Sequence, residues 1–363
     1  MAYTTIDDPS AYFQTKLWTG NASSNHAITL DGNSNMQPDW SWHKEPSDTN
    51  GWHLVDSSRG TDKLFAITTA AETTWSGHLT SFDSNGFTAS SGDSSTNSSG
   101  VSQLNYLWKV NGGTTTNLSG NLSSVAQVNA AAGISIVQYT GSGGNGQSVN
   151  HGLGLTPEVI ITKAKNGVDA WYMYHKSIGN DKIMKLNTAD AQASSSCYSA
   201  AAVNSTAFFV STSLLYVGEL GADFISYCFA PIQGYSKFGS YIGNGSGTSD
   251  GTFEGPMVNT GFKPAWVMVK RSSYSAGDGW TLWDSTRAPR GGTTTGNYNQ
   301  NKINPASSAA ESGAVYDAVD FLSNGFKIRT GRAGANASGS TYIYMAFAEN
   351  PFVTSTGVPA TAY

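Results

Sequence analysis

The apolar residues of this chain lie in short runs that are separated by Gly, Pro, Asn and Ser, the residues that favour turns. The runs at 159–163 and 266–270 follow shortly after a proline, which is tolerated at a strand entrance because no ladder N–H is needed there. Asn-Gly pairs at 85–86 and 324–325 predict hairpin turns with two positive φ values. The pattern predicts an all-β chain with short turns and little helix. We expect a helical turn or two only in stretches rich in Ala, Thr and Ser, at 68–74, 187–193 and 306–311.

The same landmarks occur three times in the same order, which indicates three diverged copies of one unit. An aromatic residue with a glycine two positions later opens each unit, a proline leads to a lysine six residues on, a tryptophan follows, and an aromatic run closes the unit. We call the units repeats 1, 2 and 3. Their landmarks are Trp18, Tyr139 and Tyr241; Pro38 to Lys44, Pro157 to Lys163 and Pro264 to Lys270; Trp52, Trp171 and Trp280; and runs at 106–108, 227–229 and 344–347.

Short strands with frequent turn signals are typical of β-sandwiches. We therefore expect three tandem β-sandwich domains of jelly-roll-like form. Their expected boundaries are 17–112, 133–234 and 235–352, with an anchoring segment at 1–16, a linker or edge hairpin at 113–132, and a tail at 353–363.

Composition narrows the choice of partners. Hydrophobic residues make up 39% of the chain, aromatic residues 12% and charged residues 12%, which is a folded rather than a disordered profile. A net charge of −5 argues against nucleic-acid binding, which needs clustered Lys and Arg. Neither a membrane-spanning apolar run nor a signal peptide is visible, so we expect synthesis in a cytoplasm and no membrane insertion.

The sequence predicts no metal and no other cofactor. Cys197 and Cys228 are 31 residues apart and are either two buried thiols or one disulfide. The six histidines, at 26, 43, 53, 78, 151 and 175, show no ligand spacing, so we interpret them as surface residues.

The motif Asp-Ser-x-Arg follows a tryptophan strand in repeats 1 and 3, and it has two interpretations. A neighbouring Asp, Arg and aromatic ring can bind a sugar. Alternatively, the Asp accepts local backbone N–H bonds and the Arg pairs with it to hold a turn. Repeat 2 lacks the motif and has His175 at that position. The candidate ligand-binding residues are Trp52, Asp56, Arg59, Trp280, Asp284 and Arg287.

We expect no enzymatic activity. Acidic residues are few and scattered, so no pair of carboxylates at the separation that glycoside hydrolysis needs is apparent. The sequence contains no His-Glu-x-x-His motif.

Several phrases resemble a repeat family of virion proteins from tailed bacteriophages, many of them marine or cyanobacterial. The resemblance spans nearly the whole chain but carries over no catalytic or binding residue. Repeat 2 departs from it most. The phrases are Ile-Asp-Asp-Pro-Ser-Ala-Tyr-Phe at 6–13, Trp-Thr-Gly-Asn at 18–21, Phe-Asp-Ser-Asn-Gly-Phe at 82–87, Gly-Tyr-Ser-Lys-Phe-Gly-Ser-Tyr at 234–241 and Ile-Tyr-Met-Ala-Phe-Ala-Glu-Asn-Pro-Phe at 343–352.

The resemblance implies a structural protein on the virion surface, expected to be a tail-associated fibre or adhesion protein that contacts host surface glycans. The alternative is a capsid decoration protein, of the cement or head-fibre kind, with a purely structural role. A carbohydrate-binding module of an enzyme is a third class, but no catalytic pattern accompanies the repeats. We expect other virion proteins and a host glycan or receptor as partners, and a homo-oligomeric assembly.

Overall fold

Among the residues that the structure describes, the strands form six antiparallel sheets, two in each repeat, and the all-β prediction is confirmed. This computed structural model describes residues 3–91, 94–198, 202–211, 217–247, 254–274, 279–287, 299–313 and 318–361.

The strands of repeat 1 are β1 Phe13–Thr19, β2 His26–Thr29, β3 Trp40–Lys44, β4 His53–Asp56, β5 Lys63–Ala66, β6 Thr73–Thr74, β7 Leu79–Asp83, β8 Gly86–Ala89 and β9 Ser102–Trp108. A hairpin of β10 Thr116–Leu118 and β11 Ser124–Asn129 follows. Repeat 2 contains β12 Ile134–Thr140, β13 Gln147–Asn150, β14 Val159–Ala164, β15 Tyr172–His175, β16 Lys182–Lys185, β17 Ala193–Ser194, β18 Ala207–Val210 and β19 Asp223–Phe229. Repeat 3 contains β20 Ser236–Ile242, β21 Met257–Asn259, β22 Phe262–Arg271, β23 Thr281–Asp284, β24 Val319–Leu322, β25 Gly325–Ile328 and β26 Thr341–Pro351.

One strand order recurs in the three large sheets. The orders are β1-β9-β3-β4-β5-β6 in repeat 1, β12-β19-β14-β15-β16-β17 in repeat 2, and β20-β26-β22-β23 in repeat 3. The hairpin β10–β11 extends the second sheet beyond β12. Small sheets accompany them, in the orders β2-β8-β7, β13-β18 and β21-β25-β24. The equal register of the pairs β3–β4, β14–β15 and β22–β23 makes Asp56, His175 and Asp284 equivalent residues.

The inner faces of the three large sheets meet in one central core, which contains buried residues from every repeat. The closing strands β9, β19 and β26 run through it and contribute alternate residues to it, as the two-residue period of a strand requires. These residues are Leu104, Tyr106 and Trp108; Ile225, Tyr227 and Phe229; and Ile343, Met345 and Phe347.

The opposite faces of the large sheets are buried as well, each within its own repeat. In repeat 1 this outer core joins Trp18, Val55 and Leu107 of the large sheet to Ile28 and Phe87 of the small sheet. Repeats 2 and 3 have corresponding outer cores. The closing strands are nearly continuous in apolar character because both of their faces are buried.

The repeats contact one another in a ring. We call the contact between two repeats a junction, and at each junction one tryptophan landmark donates its indole N–H to a backbone carbonyl of the neighbouring repeat. The Nε1–O distances are 3.1 Å from Trp171 to Ala66, 3.0 Å from Trp280 to Lys185, and 3.0 Å from Trp52 to Asn304. The last bond joins repeat 1 to repeat 3 and therefore closes the ring.

The N-terminal segment packs on repeat 3 and bonds to the C-terminal tail. The hydroxyl of Tyr3 donates to the carbonyl of Gly261 at 2.7 Å, and the carboxylate of Asp7 accepts the N–H of Ser355 at 2.6 Å. Ile6 enters the central core, and residues 13–16 of the expected anchoring segment belong to β1.

The helical turns among the described residues lie elsewhere than expected. They are α1 Ser94–Asn97, α2 Ala333–Asn336 and the 3₁₀ turns Pro9–Ala11 and Lys176–Ile178. The Ala/Thr/Ser-rich stretches are mostly irregular instead, and their backbone groups form hydrogen bonds across the junctions. Glu72 N–H donates to Lys165 O at 2.8 Å, and Gln192 N–H donates to Ser272 O at 2.7 Å.

The expected Asn-Gly hairpins are present, but glycine has a different role in them. The turn residues between β7 and β8 are Ser84 and Asn85, and neither has a positive φ. A Cβ atom at Gly86 would instead overlap the carbonyl oxygen of Ile28 on the neighbouring strand. Gly86 also has a φ of 135°, so a positive φ and a close backbone approach both favour glycine here, although the turn is not of the primed type with two positive φ values.

Both cysteines are buried free thiols, so the disulfide alternative is wrong. Burial raises the pKa of Cys197 to about 11.

The shared core predicts that the chain unfolds as one unit. Because an isolated repeat would expose its inner sheet face, we expect a single calorimetric transition for the full chain. A fragment of residues 133–234 should show no cooperative transition. Three separable transitions, or a folded fragment, would contradict this prediction.

Candidate functional site

The Asp-Ser-x-Arg motif of repeat 1 lies at the junction with repeat 2. Asp56, at the end of β4, accepts the backbone N–H groups of Ser58 and Arg59 through Oδ1, both at 3.1 Å. Its Oδ2 accepts Arg59 Nε at 2.6 Å and the hydroxyl of Tyr227, from repeat 2, at 2.7 Å. The carboxylate is fully buried, and four donors satisfy it.

The motif of repeat 3 makes the same contacts with repeat 1. Asp284 accepts the N–H groups of Thr286 and Arg287 at 3.0 and 2.9 Å. It also accepts Arg287 Nε at 2.6 Å and the hydroxyl of Tyr106 at 2.7 Å. The two junctions therefore share one Asp–Arg–Tyr arrangement.

Each arginine has a second acidic partner. Arg59 Nη1 lies 2.8 Å from Glu72 Oε2, and Arg287 Nη1 lies 2.9 Å from Glu311 Oε2. Burial alone would lower the pKa of Arg59, but Asp56 and Glu72 raise it above its usual value. Burial and Asp56 also raise the pKa of Tyr227, so its hydroxyl keeps the proton that it donates.

The junction between repeats 2 and 3 uses a different pair. His175 Nδ1 accepts the N–H of Ser177 at 3.2 Å, so Nε2 carries the proton and donates to the carbonyl of Tyr344 at 3.1 Å. Strand register places Met345 where the other repeats have Tyr106 and Tyr227. Repeat 2 has no Asp at this position, and repeat 3, its junction partner, has no hydroxyl at the matching position.

The six predicted ligand-binding residues all lie at junctions. Trp52 is 2% exposed and Trp280 is 1% exposed, so neither ring offers a face on which a sugar could stack. The side chains of both Asp-Arg pairs are buried too. We therefore correct the surface-site interpretation: the alternative interpretation, a turn held by Asp and Arg, describes the geometry.

The lysine landmark also has a structural role at the loops. Lys163 Nζ donates to Thr69 O across the junction at 3.3 Å and to Asp169 O at 2.9 Å. Lys270 Nζ donates to Ala189 O across the next junction at 2.7 Å. Burial lowers the pKa of Lys163 to about 8, which is the cost of placing an ammonium group here.

The surface interpretation of the histidines is wrong for several of them. His43, His78, His151 and His175 are buried, and the rings of His43, His53 and His78 lie together in the outer layer of repeat 1. Sequence spacing missed this cluster because adjacent strands, rather than adjacent residues, bring the rings together. Across the part of the chain that the structure describes, no group of three or more His, Cys, Asp or Glu side chains could hold a metal ion.

The chain belongs to the family described as a domain of unknown function (DUF7483), which matches residues 8–351. No curated protein and no solved structure matches it. The family match spans all three repeats, so the family unit is the whole ring rather than one repeat. Within the described ranges, no helix has the length and apolar character needed to cross a membrane.

The Asp–Arg–Tyr junction predicts a large effect of Asp56→Asn. Removing the carboxylate leaves Arg59 buried beside a neutral amide, and we expect the free energy of unfolding to fall by about 3 kcal/mol. Tyr227→Phe, which removes one bond to a charged acceptor, should cost about 2 kcal/mol. Urea denaturation measures both values. Asp31→Asn, at an exposed ion pair, is the control and should change stability by less than about 0.5 kcal/mol. Equal effects of Asp56→Asn and Asp31→Asn would contradict a stabilising junction.

Because His175 is buried, we expect the chain to lose stability in acid. Burial lowers its pKa to about 4 in the folded chain, against about 6.5 when unfolded. Its contribution is therefore complete above pH 6.5 and is lost as the pH falls towards 4. Between pH 7 and pH 4 we expect the unfolding free energy of the wild type to fall by up to about 3 kcal/mol more than that of His175→Asn. Parallel pH profiles of the two proteins, from urea titrations, would show that His175 does not contribute.

Proposed function

We propose that the chain is a structural protein of the exterior of a tailed-bacteriophage virion, associated with the tail and in contact with host surface glycans. The observation that supports this proposal best is the closure of three repeats into one ring with a shared core. The Asp, Arg and Trp residues that the sequence offers as candidate ligand-binding residues form hydrogen bonds and ion pairs at the junctions instead. Such an arrangement suits a rigid binding or building element rather than a catalyst.

We further propose that each repeat is a jelly-roll-like β-sandwich and that the ring consists of three of them. The outer cores support this view, since each one packs a large sheet against the small sheet of the same repeat. The central core then joins the three sandwiches through their large sheets.

Glycan contact is proposed for the loops outside the junctions. The loops are rich in Ser, Thr and Asn, whose hydroxyl and amide groups suit weak hydrogen bonding to sugars. Because the ring presents three similar but different sides, several weak contacts can act together, and linked contacts multiply avidity.

A capsid decoration protein is the second candidate. The longest described α-helices have four residues, so the described chain offers no coiled-coil shaft of the kind that a projecting fibre uses. A compact ring fits a protein that lies flat on a shell.

Labelling of purified virions with antibodies against the ring tests both candidates. We expect gold label at the tail and a low copy number per particle by quantitative mass spectrometry. Excess purified chain should also compete with virions for adsorption to host cells. Label over the head at high copy number would replace the tail proposal by capsid decoration, and absence of the chain from virions would reject both.

A further inference from the structure

The inner face of the large sheet of repeat 2 continues beyond the central core and becomes polar. Alternate residues of a strand share a face. Gln138 and Thr140 of β12 therefore share the face of the core residue Ile136, and Asp223 of β19 shares the face of the core residue Ile225. We call this end of the sheet face the polar rim of repeat 2. Its side chains are partly or fully exposed, so they can meet a ligand from solution.

A groove of about 250 Å³ lies over the polar rim. Lys165, one residue beyond β14, lines it from one side, and Ser123 and Val125 of the hairpin β10–β11 line it from the other. Thr140 and Val125 are exposed, whereas Lys165 and Asp223 are half-buried. Pockets for drug-sized ligands measure about 300–1,000 Å³, so this groove fits a smaller group, such as a single sugar ring.

The groove contains one ammonium group and one carboxylate, and neutral neighbours hold both. Lys165 Nζ donates to Gln138 Oε1 at 2.9 Å, and Asp223 Oδ1 accepts the hydroxyl of Thr140 at 2.7 Å. Among the described residues, no ion pair or other side-chain hydrogen bond engages Lys165 Nζ or Asp223 Oδ2. An ammonium group has three N–H donors. Two N–H groups of Lys165 and one oxygen of Asp223 are therefore open to a ligand.

The junction with repeat 1 holds these groups in place before any ligand arrives. Gln138 Nε2 donates to the carbonyl of Ser58, in repeat 1, at 3.3 Å. The backbone N–H of Lys165 donates to the carbonyl of Asp223 at 2.7 Å, and the carbonyl of Lys165 accepts the N–H of Glu72, in repeat 1, at 2.8 Å. A site that is already ordered loses less conformational entropy on binding.

The fold does not require charged residues at the polar rim. Only the sheet of repeat 2 is extended by a hairpin, since β1 and β20 are edge strands of their sheets. Strand register and the lysine landmarks identify the equivalent residues, all of them uncharged, in repeats 1 and 3: Ser102 and Thr341 for Asp223, and Pro46 and Ser272 for Lys165. The charged groove is therefore specific to repeat 2.

We propose that this groove binds one uncharged sugar unit of a glycan, with Lys165 donating to one hydroxyl and Asp223 accepting from a neighbouring one. Hydrogen bonds to charged groups are stronger than those between neutral groups. Val125 is 37% exposed and offers an apolar surface to the C–H groups of the ring. The carboxylate opposes an anionic ligand and the ammonium group opposes a cationic one, so a neutral polyol fits best. This inference rests on the glycan contact proposed above and assigns it to repeat 2.

Saturation-transfer NMR of the full chain with single sugars tests the proposal. The probes are the methyl glycosides of glucose, galactose, mannose and N-acetylglucosamine, each at millimolar concentration. We expect transfer of saturation from the protein to the ring protons of at least one of them. Absence of transfer to all four would overturn the proposal.

The residues of repeat 3 supply the matched variant. The double substitution Lys165→Ser and Asp223→Thr should leave a folded chain and weaken binding of that sugar by at least about tenfold. The same substitutions at exposed residues of repeat 2 outside the groove, Lys176→Ser and Asp181→Thr, should leave the affinity unchanged. If the double variant fails to fold, Asp223→Asn alone decides, with the same expected loss. Wild-type affinity in a folded groove variant would assign the sugar to other groups and overturn the site.

Labelling of virions decides the proposed function separately. A chain found on the tail whose groove binds none of the sugars would keep the tail proposal and reject the groove. Sugar binding in the groove of a chain that is absent from virions would keep the groove and reject the tail proposal.

Discussion

The central core is the constraint on which the rest of the structure depends. Each large sheet is apolar on both faces, and its small sheet covers only one of them. The inner face can leave water only against the inner faces of the other two repeats. Three sheets that share one core must form a closed arrangement, because any gap between them would expose Trp40, Trp108, Trp266 and their neighbours. Ring closure therefore follows from the apolar pattern of the closing strands.

Closure of the ring dictates the chemistry of the junctions. Polar groups that are buried where two repeats meet need partners from the other side. The indole N–H of each tryptophan landmark donates to a carbonyl of the neighbouring repeat. Asp56 and Asp284 each accept a hydrogen bond from a tyrosine hydroxyl of the neighbouring repeat. At the third junction both members changed, since His175 replaces the Asp and Met345 replaces the Tyr. A buried carboxylate with Arg beside it would lack one donor there, so paired replacement is the expected outcome.

Local sequence patterns predicted the strands, the turns and the recurring landmarks, because strand period and turn residues are local properties. They could not predict the role of Asp-Ser-x-Arg, whose burial depends on Tyr227, a residue of another repeat. An exposed motif of this kind resembles a sugar site, and nothing within four residues reveals that a neighbouring repeat covers it. Sequence spacing missed the histidine cluster for a similar reason. The register between β3 and β4, which the loop between them sets, pairs His43 with His53.

Comparison of the repeats separates two kinds of position. Residues that face the central core or a junction are tied to partners in other repeats, so they keep their type or change in pairs, as Asp with Tyr and His with Met do. Residues that face an outer core contact only their own repeat. Some of them keep their type, as Phe87, Phe208 and Phe326 do, and others differ without a paired change: His43 corresponds to Thr162 and to Val269, and Gln103 to Phe224. A residue that contacts only its own repeat can be replaced there without changing the contacts of the other two repeats. The outer layers therefore contain the positions at which one repeat can differ from the others without a paired change in its neighbour.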